Sequence, residues 1–376
     1  MPSKGQHIYY RPLSSRQKAR LKECLKKFQE ARNLQAGYPC NADYNYSELY
    51  PFLEFSINNL GDPFSSSSYT INTHDFEREV LAFFAKLFHL KGKYQGHVTN
   101  CSTEGNLYGI NTGYKKLANG IIYFSSAAHY SMKKVAELIR ADYQIIPALE
   151  NGEINYDILE KRISMNKTRP PIIVLTAGTT MTEATDDVVR VIAMLKKLRI
   201  SNYYIHVDAA LSGLILPFVK HPPKFDFTSN IHSLSISGHK FIGTPIPCSV
   251  VLTRQISHGP FVEYANLNDT TIGGSRNGTT VLFLWYAIQR LGKVKLKQWV
   301  QGCLKKTAYA LKIFRKLGIP AWSNPNATTL VFPRPNEKIV KRWQLLVQNK
   351  LAHFVIKAST TKKFIDKIAH EIKKSK

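Results

Sequence analysis

The alternation of apolar and polar positions divides the chain into four kinds of stretch. Over residues 16–32, Ala19, Leu21, Leu25 and Phe28 recur at helical spacing among lysines and arginines, which predicts an amphipathic helix. For its apolar face, packing on a partner subunit is preferred over contact with a membrane. Turn residues follow at Asn58–Phe64 and a serine run at 65–68, a polar loop that belongs to neither helix nor strand. From Thr73 the helical period returns, with Phe76, Val80, Phe83, Phe84, Leu87 and Phe88 on one face and Asp75, Glu77 and Glu79 early.

Between about 97 and 253 short apolar runs take over, at 121–124, 143–147, 171–176, 203–207, 232–236 and 248–252. Helix-length segments at 130–141, 155–165 and 186–198 separate the earlier ones. Runs without polar alternation are strands covered on both faces, so this part predicts a mostly parallel sheet between helices. From about 291 the chain is lysine-rich and helical in period, interrupted by Pro320, Pro325, Pro333 and Pro335. The expected organisation is α/β in three parts: an N-terminal segment over 1–60, a large domain over 61–290 and a smaller C-terminal α/β domain over 291–376.

A hydrophobic content of 44% and 376 residues exclude a disordered chain and allow a large core. The net charge of +26 suggests an anionic partner until its distribution is counted. Residues 1–35 carry +7 and residues 291–376 carry +17, leaving only +2 for the middle. Chemistry in the middle therefore does not use the charge. Five scattered cysteines without a C-x-x-C pair fit a reducing compartment, and no secretory signal or spanning segment is read, so a cytoplasmic location is expected.

Three short motifs carry the candidate chemistry. Ser235-Ile236-Ser237-Gly238-His239-Lys240 places a lysine at the end of a strand, where α/β folds bind ligands. Taken alone, Lys240 would be a surface loop lysine. Asp208 ends the 203–207 strand, and a buried acid there needs a cation or a proton donor, such as a protonated pyridine nitrogen. Asn100-Cys101-Ser102-Thr103-Glu104-Gly105-Asn106 offers hydroxyls and free N–H groups at a helix start, as a phosphate requires or as an ordinary cap would. Together they supply what a phosphorylated pyridine aldehyde needs: a phosphate cradle, an acid for the ring nitrogen and an amine.

With these motifs the sequence resembles the group II pyridoxal-phosphate decarboxylases, in the branch of the histidine and serine decarboxylases. The matching segments are Tyr38–Asn41, Ser56–Phe64, Thr99–Tyr108, His129–Ser131, Gly178–Thr180, His206–Gly213, Ser235–Gly243 and Gly274–Gly278, and the likeness covers nearly the whole chain. The resemblance implies a fold type I transferase-like architecture and pyridoxal 5′-phosphate as cofactor. It implies that Lys240 forms the Schiff base, that Asp208 faces the pyridine nitrogen and that His129 stacks on the ring beside the substrate carboxylate. Ser102, Thr103, His239 and Ser237 match phosphate-side positions, and Tyr38 lies in a segment that approaches the substrate. Ser275 and Arg276 match a segment that approaches the cofactor of a neighbouring subunit, implying a homodimer or larger assembly with shared sites. Tyr264, in the loop 258–271, is the candidate proton donor to the α-carbon; an exposed loop tyrosine is the equal alternative.

Two departures stand out. Residues 181–185 read Met-Thr-Glu-Ala-Thr where the family often has lysine and glycine, and Thr279-Thr280 stands where a histidine commonly follows. The Met181 and Thr182 side chains are read as loop filler. The expected reaction is decarboxylation of an L-amino acid, histidine to histamine first, with serine or an aromatic amino acid as alternatives. A catalytically dead relative that binds an anionic polymer through its basic ends is the distant alternative, and a nucleic-acid partner is not expected.

Overall fold

The structure is a computed structural model that describes residues 11–41 and 45–375. Its helices are α1 (Ser15–Arg32), α2 (His74–Leu87), α3 (Ser102–Lys116), α4 (Ser131–Leu138), α5 (Tyr156–Ser164), α6 (Val188–Lys197), α7 (Gly278–Lys316), α8 (Glu337–Trp343) and α9 (Lys362–Lys374). Its strands are β1 (Gln95–Thr99), β2 (Ile121–Ser125), β3 (Tyr143–Ile146), β4 (Pro171–Thr176), β5 (Tyr204–Asp208), β6 (Ser233–Ser237), β7 (Ser249–Thr253), β8 (Phe261–Val262), β9 (Leu267–Asn268), β10 (Thr329–Pro333), β11 (Leu346–Gln348) and β12 (Leu351–Val355).

The central sheet has seven strands in the order β1-β7-β6-β5-β4-β2-β3. The five strands from β3 to β6 run parallel, while β7 is antiparallel to both β6 and β1. The expected parallel sheet is therefore present, with its antiparallel exception at β7, one strand in from the β1 edge. Every residue of β2, β4, β5, β6 and β7 is buried, which is why their sequences lack polar alternation.

Helix α3 lies unusually close to this sheet. A Cβ on Gly109 would stand 2.4 Å from His206 Nδ1, and one on Gly113 would stand 2.6 Å from the Tyr204 ring. Glycine at both positions lets the helix settle onto β5, and this close approach carries its first turn to the ends of β5 and β6. Apolar residues of α3, α4 and the strands form a core on that face around Ile110, Phe124, Met132 and Val135. A larger core covers the opposite face and runs on through α7 to Phe332, Trp343, Phe354 and Ile368.

The C-terminal part is a three-stranded antiparallel sheet, β10-β12-β11, with α8 and α9. Helix α7 leads into it and breaks at Gly292, whose φ of 57° is outside helical space. Helix α1 begins with a capping box in which Ser14 and Gln17 satisfy each other's backbone N–H groups. It buries none of its residues, so Leu21, Leu25 and Phe28 stand exposed along it. Among the described residues, no helix is long and apolar enough to cross a membrane.

Candidate active site

The ends of β4, β5 and β6 and the first turn of α3 converge on one cavity of about 170 Å³. Ser102 and Thr103 line it from the α3 N-terminus, Asp208 from the end of β5, and Ser237, His239 and Lys240 from the end of β6. His129 closes it from the turn before α4, while Thr176, Gly178 and Thr180 contribute the loop after β4. Seven of the residues singled out in the sequence therefore share one chamber although 138 positions separate the first from the last. This is the strand-end crevice in which open parallel sheets bind ligands.

Each end of the chamber has its own chemistry. At the α3 end, the hydroxyls of Ser102 and Ser237 lie 2.5 Å apart beside the free N–H groups of a 15-residue helix, an arrangement suited to an anion. His239 is fixed next to them, with Nδ1 2.9 Å from the Cys248 carbonyl oxygen. At the far end Asp208 is buried, and Oδ1 accepts from Ala210 N at 3.1 Å while Oδ2 accepts from Asn106 Nδ2 at 3.0 Å. Lys240 and His129 both sense that carboxylate. Burial pushes the Lys240 amine below the usual lysine range, with Asp208 and Cys40 pulling it back up. Burial likewise lowers the His129 imidazole, which Asp208 raises and Lys240 lowers further.

The residues present fit a phosphorylated pyridine aldehyde. An anion site, an amine and a buried carboxylate are set around one space, and the Thr176 hydroxyl in its wall is buried without a hydrogen-bond partner. An orphaned buried hydroxyl is costly unless a ligand satisfies it.

A family model for the pyridoxal-dependent decarboxylase conserved domain matches residues 111–318. The chain belongs to this family. A histidine decarboxylase of Acinetobacter baumannii (strain ACICU) is 44% identical over 328 residues, covering 86% of each chain. The histidine decarboxylase of Mesorhizobium japonicum is 39% identical over 364 residues, 96% of this chain and 98% of the relative. Serine decarboxylase 3 of rice (Oryza sativa subsp. japonica) is 41% identical over 348 residues, 91% of this chain and 78% of the relative. The solved L-methionine decarboxylase from Streptomyces sp. 590 has the same fold, with a TM-score of 0.89 and 23% identity over 96% of each chain. The protein is thus a pyridoxal-phosphate-dependent carboxy-lyase of the fold expected from its sequence.

Four sequence candidates lie apart from the decarboxylase chamber within one chain. Tyr264 sits at the turn between β8 and β9 with 89% of its surface exposed. Tyr38 is 42% exposed and does not line the chamber. Its neighbours come closer: Asn41 N donates to the Lys240 carbonyl at 3.0 Å, and the Cys40 thiol is pulled down by Lys240 against the rise caused by burial. Ser275 accepts a hydrogen bond from Asn58 Nδ2 at 3.2 Å, away from the chamber. Arg276 turns into its own subunit, where it pairs with Glu77 and donates to the carbonyls of Gly61 and Val98.

Sequence reasoning missed Asn106 and Thr176. The signal for Asn106 was present, because Ser102, Asn106, Gly109 and Gly113 share one helical face. The signal for Thr176 was the polar end of an otherwise apolar run.

Proposed function

We propose that this decarboxylase acts on L-histidine, releasing carbon dioxide and histamine. The observation that carries this reading is the likeness to histidine decarboxylases from two genera, at 44% and 39% identity, over 86% and 96% of this chain. The rice serine decarboxylase at 41% is the specific reason to keep L-serine in the test.

In this reading Ser102, Thr103, Ser237 and His239 would hold the phosphate of pyridoxal 5′-phosphate, and Lys240 would carry its aldehyde carbon. When bound, the cofactor supplies an electron-poor ring that accepts the electron pair left at the α-carbon when the bond to the carboxylate breaks. Asp208 would hold a proton on the ring nitrogen, a role suited to a buried carboxylate that needs positive charge nearby. His129 would face the ring and orient the substrate carboxylate, and Cys40 and Asn41, next to Tyr38, would bound the substrate side. Histidine thereby loses its carboxylate as carbon dioxide, and the α-carbon takes one proton to become histamine. Tyr264 is proposed as the donor of that proton. Its exposure on its own chain supports a role at a neighbouring subunit's site, where Ser275 would also act.

That arrangement requires a homodimer or larger assembly, and the unburied apolar stripe of α1 supports one. The division into residues 1–60, 61–290 and 291–376 is retained, the last boundary lying beside the break in α7 at Gly292. Purified holoenzyme offered L-histidine, L-serine and L-tryptophan separately should form amine from L-histidine most rapidly. Ethanolamine as the main product, or no histamine, overturns the substrate assignment.

A further inference from the structure

Behind Asp208 a buried polar chain built from α3, β5 and β6 starts at Asn106, in the chamber wall, and leads away from the chamber. Asn106 Nδ2 donates to Asp208 Oδ2 at 3.0 Å. Asn106 Oδ1 accepts from the Ser235 hydroxyl and lies 2.9 Å from His206 Nε2. His206 Nδ1 is 2.7 Å from the Ser233 hydroxyl. All five residues are buried. None of the outer three touches the chamber, so their polarity is not explained by contact with a ligand.

The hydrogen-bond roles can be solved in order. A carboxylate only accepts, so the Asn106 amide must present its NH₂ to Asp208 and its oxygen to the other side. That oxygen only accepts, so His206 Nε2 must carry a proton. Burial drives the His206 imidazole down to about 3, so it is neutral near pH 7 and its single proton sits on Nε2. Nδ1 is then an acceptor, and Ser233 donates to it. Every polar group in the chain has a defined direction, running from Ser233 through His206 and Asn106 to Asp208.

We propose that Asn106 is a positioning residue for this reaction: it fixes the Asp208 carboxylate toward the chamber, with its amide orientation locked by His206 in the Nε2–H tautomer and by Ser235. The proposal rests on the reading of Asp208 as the partner of the ring nitrogen. Its consequence is that Asp208 cannot rotate to satisfy itself elsewhere. A leucine at position 106 keeps the volume, removes a donor to a charged group and leaves the His206 proton without an acceptor. The proton then favours Nδ1, where Ser233 can accept it.

The test combines histidine ¹⁵N NMR with cofactor-binding titrations. In wild-type protein, His206, assigned by a His206→Gln variant, should appear as the neutral Nε2–H tautomer throughout pH 6–9. In Asn106→Leu it should move to the Nδ1–H form, and the affinity of apoprotein for pyridoxal 5′-phosphate should fall roughly 10- to 100-fold, the range of one hydrogen bond to a charged group. Wild-type His206 in the Nδ1–H or cationic form overturns the proposal without need of any variant. Unchanged cofactor affinity in Asn106→Leu, beside weakened affinity in Asp208→Ala, overturns it and leaves the Asp208 reading standing. Unchanged affinity in both overturns the two together.

Discussion

Arg276 brings a full positive charge into the protein and meets Glu77 there, both almost completely enclosed. Glu77 also accepts from Asn59 Nδ2 and Val98 N, each at 2.7 Å, so the pair ties α2, β1 and the segment before α7 together. Removing one member of such a pair strands the other charge, at a cost of roughly 3–5 kcal/mol. Arg276→Met should therefore lower the urea midpoint strongly, and Glu77→Gln combined with it should recover part of the loss. A fall under about 1 kcal/mol in the single variant would show that Glu77 finds another partner. At this scale Asp208 was legible because it ends an apolar run, and Lys240 because it stands just past a strand and before a turn. The inward turn of Arg276 was not, because its partner lies 199 positions away.

The connection from β4 to α6 shows what the pattern of elements leaves out. The Met181 and Thr182 side chains read as filler, while the backbone of this loop joins the chamber wall to the C-terminal part. The Thr182 carbonyl accepts from Asn324 Nδ2 at 2.9 Å, and the Met181 carbonyl lies 3.0 Å from His353 Nδ1. Between the two joins and α6, Glu183 adopts a left-handed φ of 53° and buries its carboxylate. Ser212, the Thr328 N–H and the Thr329 hydroxyl donate to it at 3.1, 2.9 and 2.5 Å. Burial raises its pKa above the usual carboxylate range, against those donors. Glu183→Ala would leave four buried donors, the Thr328 hydroxyl among them, without an acceptor, a loss of about 3 kcal/mol measurable by calorimetry, and Glu183→Gln should lose less. Equal melting of all three proteins would contradict a load on this contact. Strand positions were readable from apolar runs because each strand is buried along its length. A loop whose role is to accept hydrogen bonds through its carbonyls leaves no such trace.

Over the whole molecule, the excess charge and the chemistry are separate, as the regional counts implied. Among the described residues, the basic ends of the sequence form α1 and the α7–α9 region, while the chamber is built from residues 101–240. Burial has a larger effect on pH behaviour than net charge does. Seven histidines (His74, His97, His129, His206, His232, His239 and His353) are lowered from 6.5 chiefly by burial, His206 to about 3 and His232 to about 4. The folded state favours their neutral form, so their contribution is complete above pH 6.5 and is lost as pH falls below it. Asp186 and Glu183 act in the opposite direction: burial raises both, Asp186 from 3.8 to about 7, so its contribution is complete below pH 3.8 and fades toward neutrality. The shift at Asp186 is about the size of that at His206 alone, and the other histidines decide the sign. The melting temperature should be level above pH 7 and fall steadily from pH 6.5 toward 4.5. A melting temperature that rises on acidification would contradict this balance. Sedimentation should give a homodimer or larger assembly, and a monomer at micromolar concentration would remove the shared-site role of Tyr264 and Ser275.

Lys240 is the residue proposed to carry the cofactor. Borohydride reduction of the holoenzyme, followed by peptide mass spectrometry, tests it most directly. The predicted result is one phosphopyridoxyl group, on the peptide containing Lys240, absent from Lys240→Ala. The group on another lysine, or on none, would contradict the site described here.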